Sequence, residues 1–311
     1  MSRRHFMAQA VAAGIALGAG LGETVHAADT PAFRTLRLSF TGFAINVRVP
    51  EGLGEATLAD ALAWIRRSAE AVRGYFQQFP VNPLDLRLVV LDGSGVRGGL
   101  TSTDDAPFIR IGVGKETAHA QFLADWVLVH EMVHLAIPQI RRKHNWLHEG
   151  IATYVEGVAR TRAGIIPATQ FWGELATGMP QGLPQDGDQG LDNTHTWGRT
   201  YWGGALFCLV ADVRMRTRSG NQRGLQQALQ GILLAGGSYA VEWTVERVLT
   251  TADQATGHTV LMDLYAAAKD APMPMDLPAL WMELGAQSTG KDMATFNDAA
   301  PLAAVRRAIA A

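Results

Sequence analysis

Apolar and polar residues alternate with a period near two over residues 33–49, the pattern of one or two half-buried strands. The period then changes. Leu58, Leu62, Ile65, Ala69, Val72 and Phe76 recur three or four residues apart, which predicts an amphipathic helix over 57–79 that Pro80 ends. Residues 84–91, rich in Leu and Val, and 108–113 read as further strands, with a Gly/Ser/Asp loop over 92–105 between them. A long helical pattern covers 117–136 and stops before Pro138; a polar turn over 141–145 leads into a second helix over about 146–161. The stretch 178–193 is dense in Gly, Pro, Gln and Asp, the composition of a loop or lobe boundary. Helical patterns follow at 200–218, 222–234, 241–250 and 257–269, with a last one near 301–310. The expectation is an α+β protein. A small mixed β-sheet occupies a front lobe over about 33–160, and an all-helical lobe follows over about 195–311.

The chain has 311 residues, of which 48% are hydrophobic, enough to bury a sizeable core. Its net charge of -2 is made of interspersed charges without a basic stripe, which argues against nucleic acid as a partner. A single cysteine, Cys208, excludes an intrachain disulfide; it lies in the apolar run 205–210 and reads as a buried core thiol. The first residues stand apart from this picture. Ser2-Arg3-Arg4-His5-Phe6-Met7 precedes an apolar run from Ala8 to Leu21, and Val25-His26-Ala27 offers small residues where a signal peptidase cuts. The paired arginines resemble a twin-arginine export signal, so a signal peptide over 1–27 and a mature chain over 28–311, periplasmic or secreted, are expected. An ordinary secretory signal or an uncleaved anchor are the alternatives. No later stretch is long and apolar enough for a membrane span.

The candidate chemistry lies in His130-Glu131-Met132-Val133-His134, inside the helical pattern that ends before Pro138. At about 3.6 residues per turn, positions four apart differ by only about 40° around the axis, so both imidazoles leave one face. Two imidazoles so placed chelate Zn2+, and Glu131 beside them can accept a proton from water. The neighbours Trp126, Val127, Leu128, Met132, Val133 and Leu135 are apolar. A charged triplet buried among them is costly unless a metal compensates it, which weighs against a chance His-Glu-His on a solvated helix. A catalytic zinc takes three protein ligands. The next predicted helix, Trp146-Leu147-His148-Glu149-Gly150-Ile151-Ala152-Thr153-Tyr154, offers two candidates for the third, Glu149 and His148, if it packs antiparallel to the first.

The His-Glu-x-x-His helix followed by Leu-His-Glu-Gly-Ile-Ala-Thr-Tyr resembles the gluzincin zinc metallopeptidases, whose second helix reads Leu-x-Glu-Gly-x-Ala-x-Tyr. Metzincins differ: they carry a third histidine where this chain has Ile140, beyond Pro138. The gluzincin resemblance implies one Zn2+ per chain, held by His130, His134 and Glu149, with Glu131 as general base. It also implies a thermolysin-like catalytic unit. His148 falls on the family's variable position and is expected to face elsewhere. Fourteen residues lie between His134 and Glu149, a connection about one helical turn tighter than is common in the aminopeptidase branch.

Tyr201-Trp202-Gly203-Gly204-Ala205-Leu206 is similar to the Tyr-x-Lys-Gly-Ala helix of glycyl aminopeptidase-like peptidases, and by position Tyr201 inherits the tyrosine that donates to the oxyanion. The family's lysine is Gly203 here. Aminopeptidases of this type also carry a Gly-rich edge-strand motif with a carboxylate for the substrate's free amine. Its counterpart, Gly98-Gly99-Leu100-Thr101-Ser102, has Thr101 at that place, with Asp104 and Asp105 close behind as substitutes. His119, His144 and His258 read as surface or structural, while His195, six residues before Tyr201, could line the cleft. A peptide or protein substrate is therefore expected, cut at an end or internally. A non-catalytic periplasmic binder of peptides or cell-wall material on the same scaffold is the rival reading, and an amide such as a peptidoglycan crosslink is a third.

Overall fold

The computed structural model describes residues 33–273 and 275–311, so the expected signal over 1–27 lies outside the described residues. The chain divides into two compact units, with one boundary inside the helix that carries the His-Glu-x-x-His residues. Among its described residues the first unit takes in 33–68 and 81–131; the second takes in 69–80 and the described part of 132–311.

The first unit is built on a five-stranded sheet in the order β1-β2-β3-β5-β4. β1 (Phe33–Phe40) and β2 (Phe43–Pro50) form an antiparallel hairpin, and β2 runs parallel to β3 (Leu84–Leu91). A parallel pair needs a long crossover, which α1 (Glu55–Phe76) supplies. β3 is parallel to β5 (Pro107–Gly114), and β4 (Val96–Thr103) pairs antiparallel with β5 at the sheet edge. The central strands read as apolar runs because they are covered. Ile45, Val47, Leu84, Leu86, Ile109, Ile111 and Val113 are all buried, as are Ala61, Trp64 and Ile65 on α1.

Two expectations change in this unit. Residues 92–105 are not one loop, since β4 occupies most of them. Its small and polar residues hide the strand signal, and Gly98 at φ 66° accommodates a register shift between Arg97 and Gly99. The long helix over 117–136 is two helices, α2 (His119–Ala124) and α3 (Val127–His134). Asp125 causes the break. Its Oδ2 accepts the Leu128 N–H at 3.2 Å, a capping bond that starts α3, and accepts the Trp64 indole N–H at 3.0 Å.

The second unit is mainly helical. α4 (Asn145–Arg162) carries Glu149 and crosses α6 (Gly204–Arg218) with almost no space between backbones. A Cβ built on Gly150 would lie 2.3 Å from the Gly204 backbone, and one on Gly204 would lie 2.1 Å from the Trp146 carbonyl oxygen. Only glycine permits that approach. The chain after α3 is clamped by a distant segment: Tyr239 N–H donates to Leu135 O at 3.0 Å, Gln139 N–H to Val241 O at 2.8 Å, and Trp243 N–H to Gln139 O at 2.9 Å. This pairing claims residues expected to start a helix at 241. The helix, α8, runs instead over Val245–Thr256, with the Thr244 side chain accepting the Arg247 N–H at its start.

α5 (Ala168–Gly178) precedes a short 3-10 turn, Met179–Gly182, inside the stretch expected to be a loop. The remaining helices are α7 (Leu225–Leu234), α9 (Val260–Ala268), α10 (Leu277–Leu284) and α11 (Ala303–Ala310). The rear of the chain is not wholly helical. β6 (Ala286–Gly290) and β7 (Met293–Phe296) make an antiparallel hairpin whose turn, Lys291-Asp292, has both residues left-handed, at φ 54° and 58°. A hairpin turn of this hand usually announces itself by Asn-Gly, and Lys-Asp gives no such signal. No helix among the described residues is long and apolar enough to cross a membrane.

Candidate metal centre

α3 is apolar on nearly every side: Val127, Leu128, Val129, Met132 and Val133 are buried. His130, Glu131 and His134 are buried with them. Such a helix exists only if its polar groups are satisfied within the fold. His134 Nε2 lies 3.6 Å from Glu149 Oε2 of α4. His130, His134 and Glu149 each offer one ligand atom, and these atoms all lie within 4.8 Å of one another. Ligands about 2.0–2.2 Å from a tetrahedral ion sit roughly 3.3–3.6 Å apart, so the His134–Glu149 pair already has the spacing that zinc requires. Two imidazole nitrogens and one carboxylate also form the donor set of a catalytic rather than a structural site. The triad fits the ion.

His148, the rival third ligand, does not face away from this centre. Its ring stacks against that of His134, with centroids 5.3 Å apart and planes 26° off parallel. Its Nδ1 is 3.2 Å from His134 Nδ1, and its Nε2 is 2.8 Å from the Pro138 carbonyl oxygen. Both nitrogens are thereby engaged away from Glu149. Burial, and then the adjacent His134 ring, push the His148 imidazole down to about 4, which keeps it neutral at ordinary pH. The tight connection between the two helices closes partly through this contact.

Glu131 is held from β4. The Thr101 hydroxyl is 2.8 Å from Glu131 Oε2 and 2.8 Å from the Glu131 carbonyl oxygen, both acceptors for its one proton, and Thr101 is itself buried. Gly99 lies alongside. A Cβ there would stand 2.4 Å from Glu131 Cγ and 2.8 Å from its Cδ and Oε1. The flexible Glu131 side chain would have to yield, since the strand backbone cannot. Gly99→Ala is therefore expected to keep the fold while displacing the Glu131 carboxylate; a crystal structure of the variant with the 2.8 Å Thr101–Glu131 Oε2 contact intact would show that Glu131 has slack at this contact.

Thr101 thus belongs to the support of Glu131, a role the sequence did not reveal. Neither acidic substitute stands beside it: Asp104 is exposed and pairs with Arg87 at 3.0 Å, and Asp105 is exposed. Tyr201 lies in a π-helical turn, Arg199–Gly203, that runs directly into α6 and packs on α4. Single π turns inside helices recur at functional sites. The Tyr201 ring is half-buried and stacks on Trp197, with centroids 5.9 Å apart. Other histidines are engaged or outside: His119 pairs with Asp60 and buried His144 with Asp192, each at 2.8 Å, and His195 is exposed. Cys208 is buried, as expected, and its thiol is pushed up chiefly by that burial, the opposite of an activated nucleophile.

No protein-family model matches the chain, and no curated protein does. Solved structures do. An aminopeptidase N family protein from Idiomarina loihiensis superposes with a TM-score of 0.63 at 15% identity, over 82% of this chain and 49% of that one. An M1 zinc metallopeptidase from Deinococcus radiodurans gives a TM-score of 0.51 at 16% identity, over 83% of this chain and 54% of that one. The chain has the zincin fold of these proteins and spans about half the length of each. The α+β expectation and the gluzincin likeness of the fold both stand.

Proposed function

We propose that this chain is an exported zinc-dependent peptidase, its zinc held by His130, His134 and Glu149, with Glu131 as general base and Tyr201 as oxyanion donor. One observation carries the reading: three ligand atoms converge within 4.8 Å on one turn of α3 and the start of α4, next to a carboxylate that Thr101 orients. A pure binder needs no buried, oriented base. The fold shared with M1 zinc metallopeptidases supports the same chemistry. The export signal over 1–27 and a catalytic domain over 28–311 belong to this proposal.

A zinc ion held by His130, His134 and Glu149 would supply a Lewis acid able to acidify water and polarise a carbonyl group. Glu131 accepts the proton of the attacking water and returns it to the departing amine nitrogen. Thr101 keeps one carboxylate oxygen occupied, which leaves the other to take the proton. The Tyr201 phenol, a neutral donor, stabilises the oxygen that gains charge as the carbonyl becomes tetrahedral. With the Thr101 hydroxyl committed to Glu131 and Asp104 to Arg87, the reading favours peptides recognised without a free amino terminus.

The test is a digest of a peptide library by purified, zinc-loaded protein, with products identified by mass spectrometry. Internal cuts are expected. Stepwise loss from the amino terminus would keep the peptidase and reverse its mode, and no cleavage of any peptide would sink the reading in favour of a binder.

A further inference from the structure

His148 was expected to face away from the metal, yet its Nδ1 lies 3.2 Å from His134 Nδ1. The proton positions along this contact follow from its far end. A carbonyl oxygen can only accept, so the 2.8 Å contact with Pro138 O places the proton of His148 on Nε2. A ligand histidine must present a bare nitrogen, and the His134 nitrogen 3.6 Å from Glu149 is Nε2, so the proton of His134 belongs on Nδ1. That Nδ1–H then donates across 3.2 Å to the lone pair of His148 Nδ1. The two contacts form a relay from the ligand ring to the Pro138 carbonyl. Tyr239 braces the relay: its ring meets His148 edge to face at 5.8 Å, and its carbonyl accepts from the Gln139 side chain at 2.9 Å beside Pro138.

We propose that His148 is the positioning residue of the metal centre, an acceptor that locks His134 in its Nδ1–H tautomer and aims its Nε2 at the ion. The proposal rests on the metal-site reading above. A donor bond from a ligand's remote nitrogen both orients the ring and raises the basicity of the coordinating one, and its removal costs about 10- to 100-fold in metal affinity. Among the three ligands, Glu149 alone carries a charge opposite to the ion's.

Two substitutions separate orientation from packing. His148→Leu keeps the bulk and loses the acceptor. His148→Asn puts an amide oxygen near the position of Nδ1 and keeps it. The full chain is stripped of metal, and zinc affinity is measured by competition with a chromophoric chelator. The Leu variant should bind about 10- to 100-fold more weakly than the unaltered protein and the Asn variant within a few-fold of it. The visible spectrum of the cobalt-substituted protein should shift in the former and not in the latter. Equal zinc affinity in His148→Leu overturns the proposal. So does an Asn variant as weak as Leu, which would make packing the cause. Should His148→Leu fail to fold, nitrogen-15 spectra of the imidazoles in the metal-free protein decide. Protons on His148 Nε2 and His134 Nδ1 are expected, and the opposite tautomers overturn it. If the unaltered chain binds no zinc, the site reading itself falls, an outcome distinct from all of these.

Discussion

Glu131→Gln is expected to leave zinc bound at full stoichiometry and to lower kcat by about 10²- to 10⁴-fold, the usual contribution of a positioned general base. The amide has the volume of the carboxylate, so the space beside Gly99 is filled as before. Its oxygen can still accept from the Thr101 hydroxyl, which now stands 2.8 Å from Oε2. What disappears is the ability to take a proton. Because Glu131 is not among the converging ligand atoms, metal content has no reason to change. Steady-state rates on protein with zinc quantified in the same sample make the measurement. An unchanged kcat would remove Glu131 from its role, and a loss of zinc would mean that the side chain had been acting as a ligand.

That prediction could be framed from sequence, because helix geometry alone puts His130 and His134 on one face with Glu131 beside them. The same holds for the second helix, expected over about 146–161 and found at Asn145–Arg162. Local periodicity fixes such features. It could not reveal what arrives from elsewhere in the chain. Thr101 lies 30 residues from Glu131, on a strand whose glycines and hydroxyls read as a loop. Gly99 is small because Glu131 packs against it and Gly98 because its φ is left-handed, so two separate constraints weakened the strand signal. Asp125 is similar: a capping carboxylate inside an unbroken apolar pattern looks like a surface position until its bonds to Leu128 and Trp64 are seen. His148 differs for another reason. A variable motif position implies a side chain facing elsewhere, whereas this imidazole bridges His134 and Pro138.

The choice between Glu149 and His148 leads to the second large effect. Glu149→Ala is expected to abolish stable zinc retention, and activity with it. Removing a ligand must cost more than the about 10- to 100-fold that losing a ligand's hydrogen-bond partner costs. Two imidazoles on one helical turn would still chelate, but without the carboxylate no anionic donor of the triad offsets the ion's charge. His148 is poorly placed to step in. Its Nε2 is bound to Pro138 and its Nδ1 to His134, and turning it toward the ion would break both contacts in a buried setting. Glu149 is only partly buried, with 17% of its side chain exposed, so the alanine leaves no deep cavity and the fold should survive. Zinc content after dialysis, by atomic absorption, is the direct measurement. A second reading comes from melting: an ion that binds only the folded chain raises its stability, so a chelator should lower the Tm of the unaltered protein and leave that of Glu149→Ala where it was. Full zinc stoichiometry in the variant would transfer the third ligand to another residue. His148 could take that place only by giving up the contacts that now orient His134.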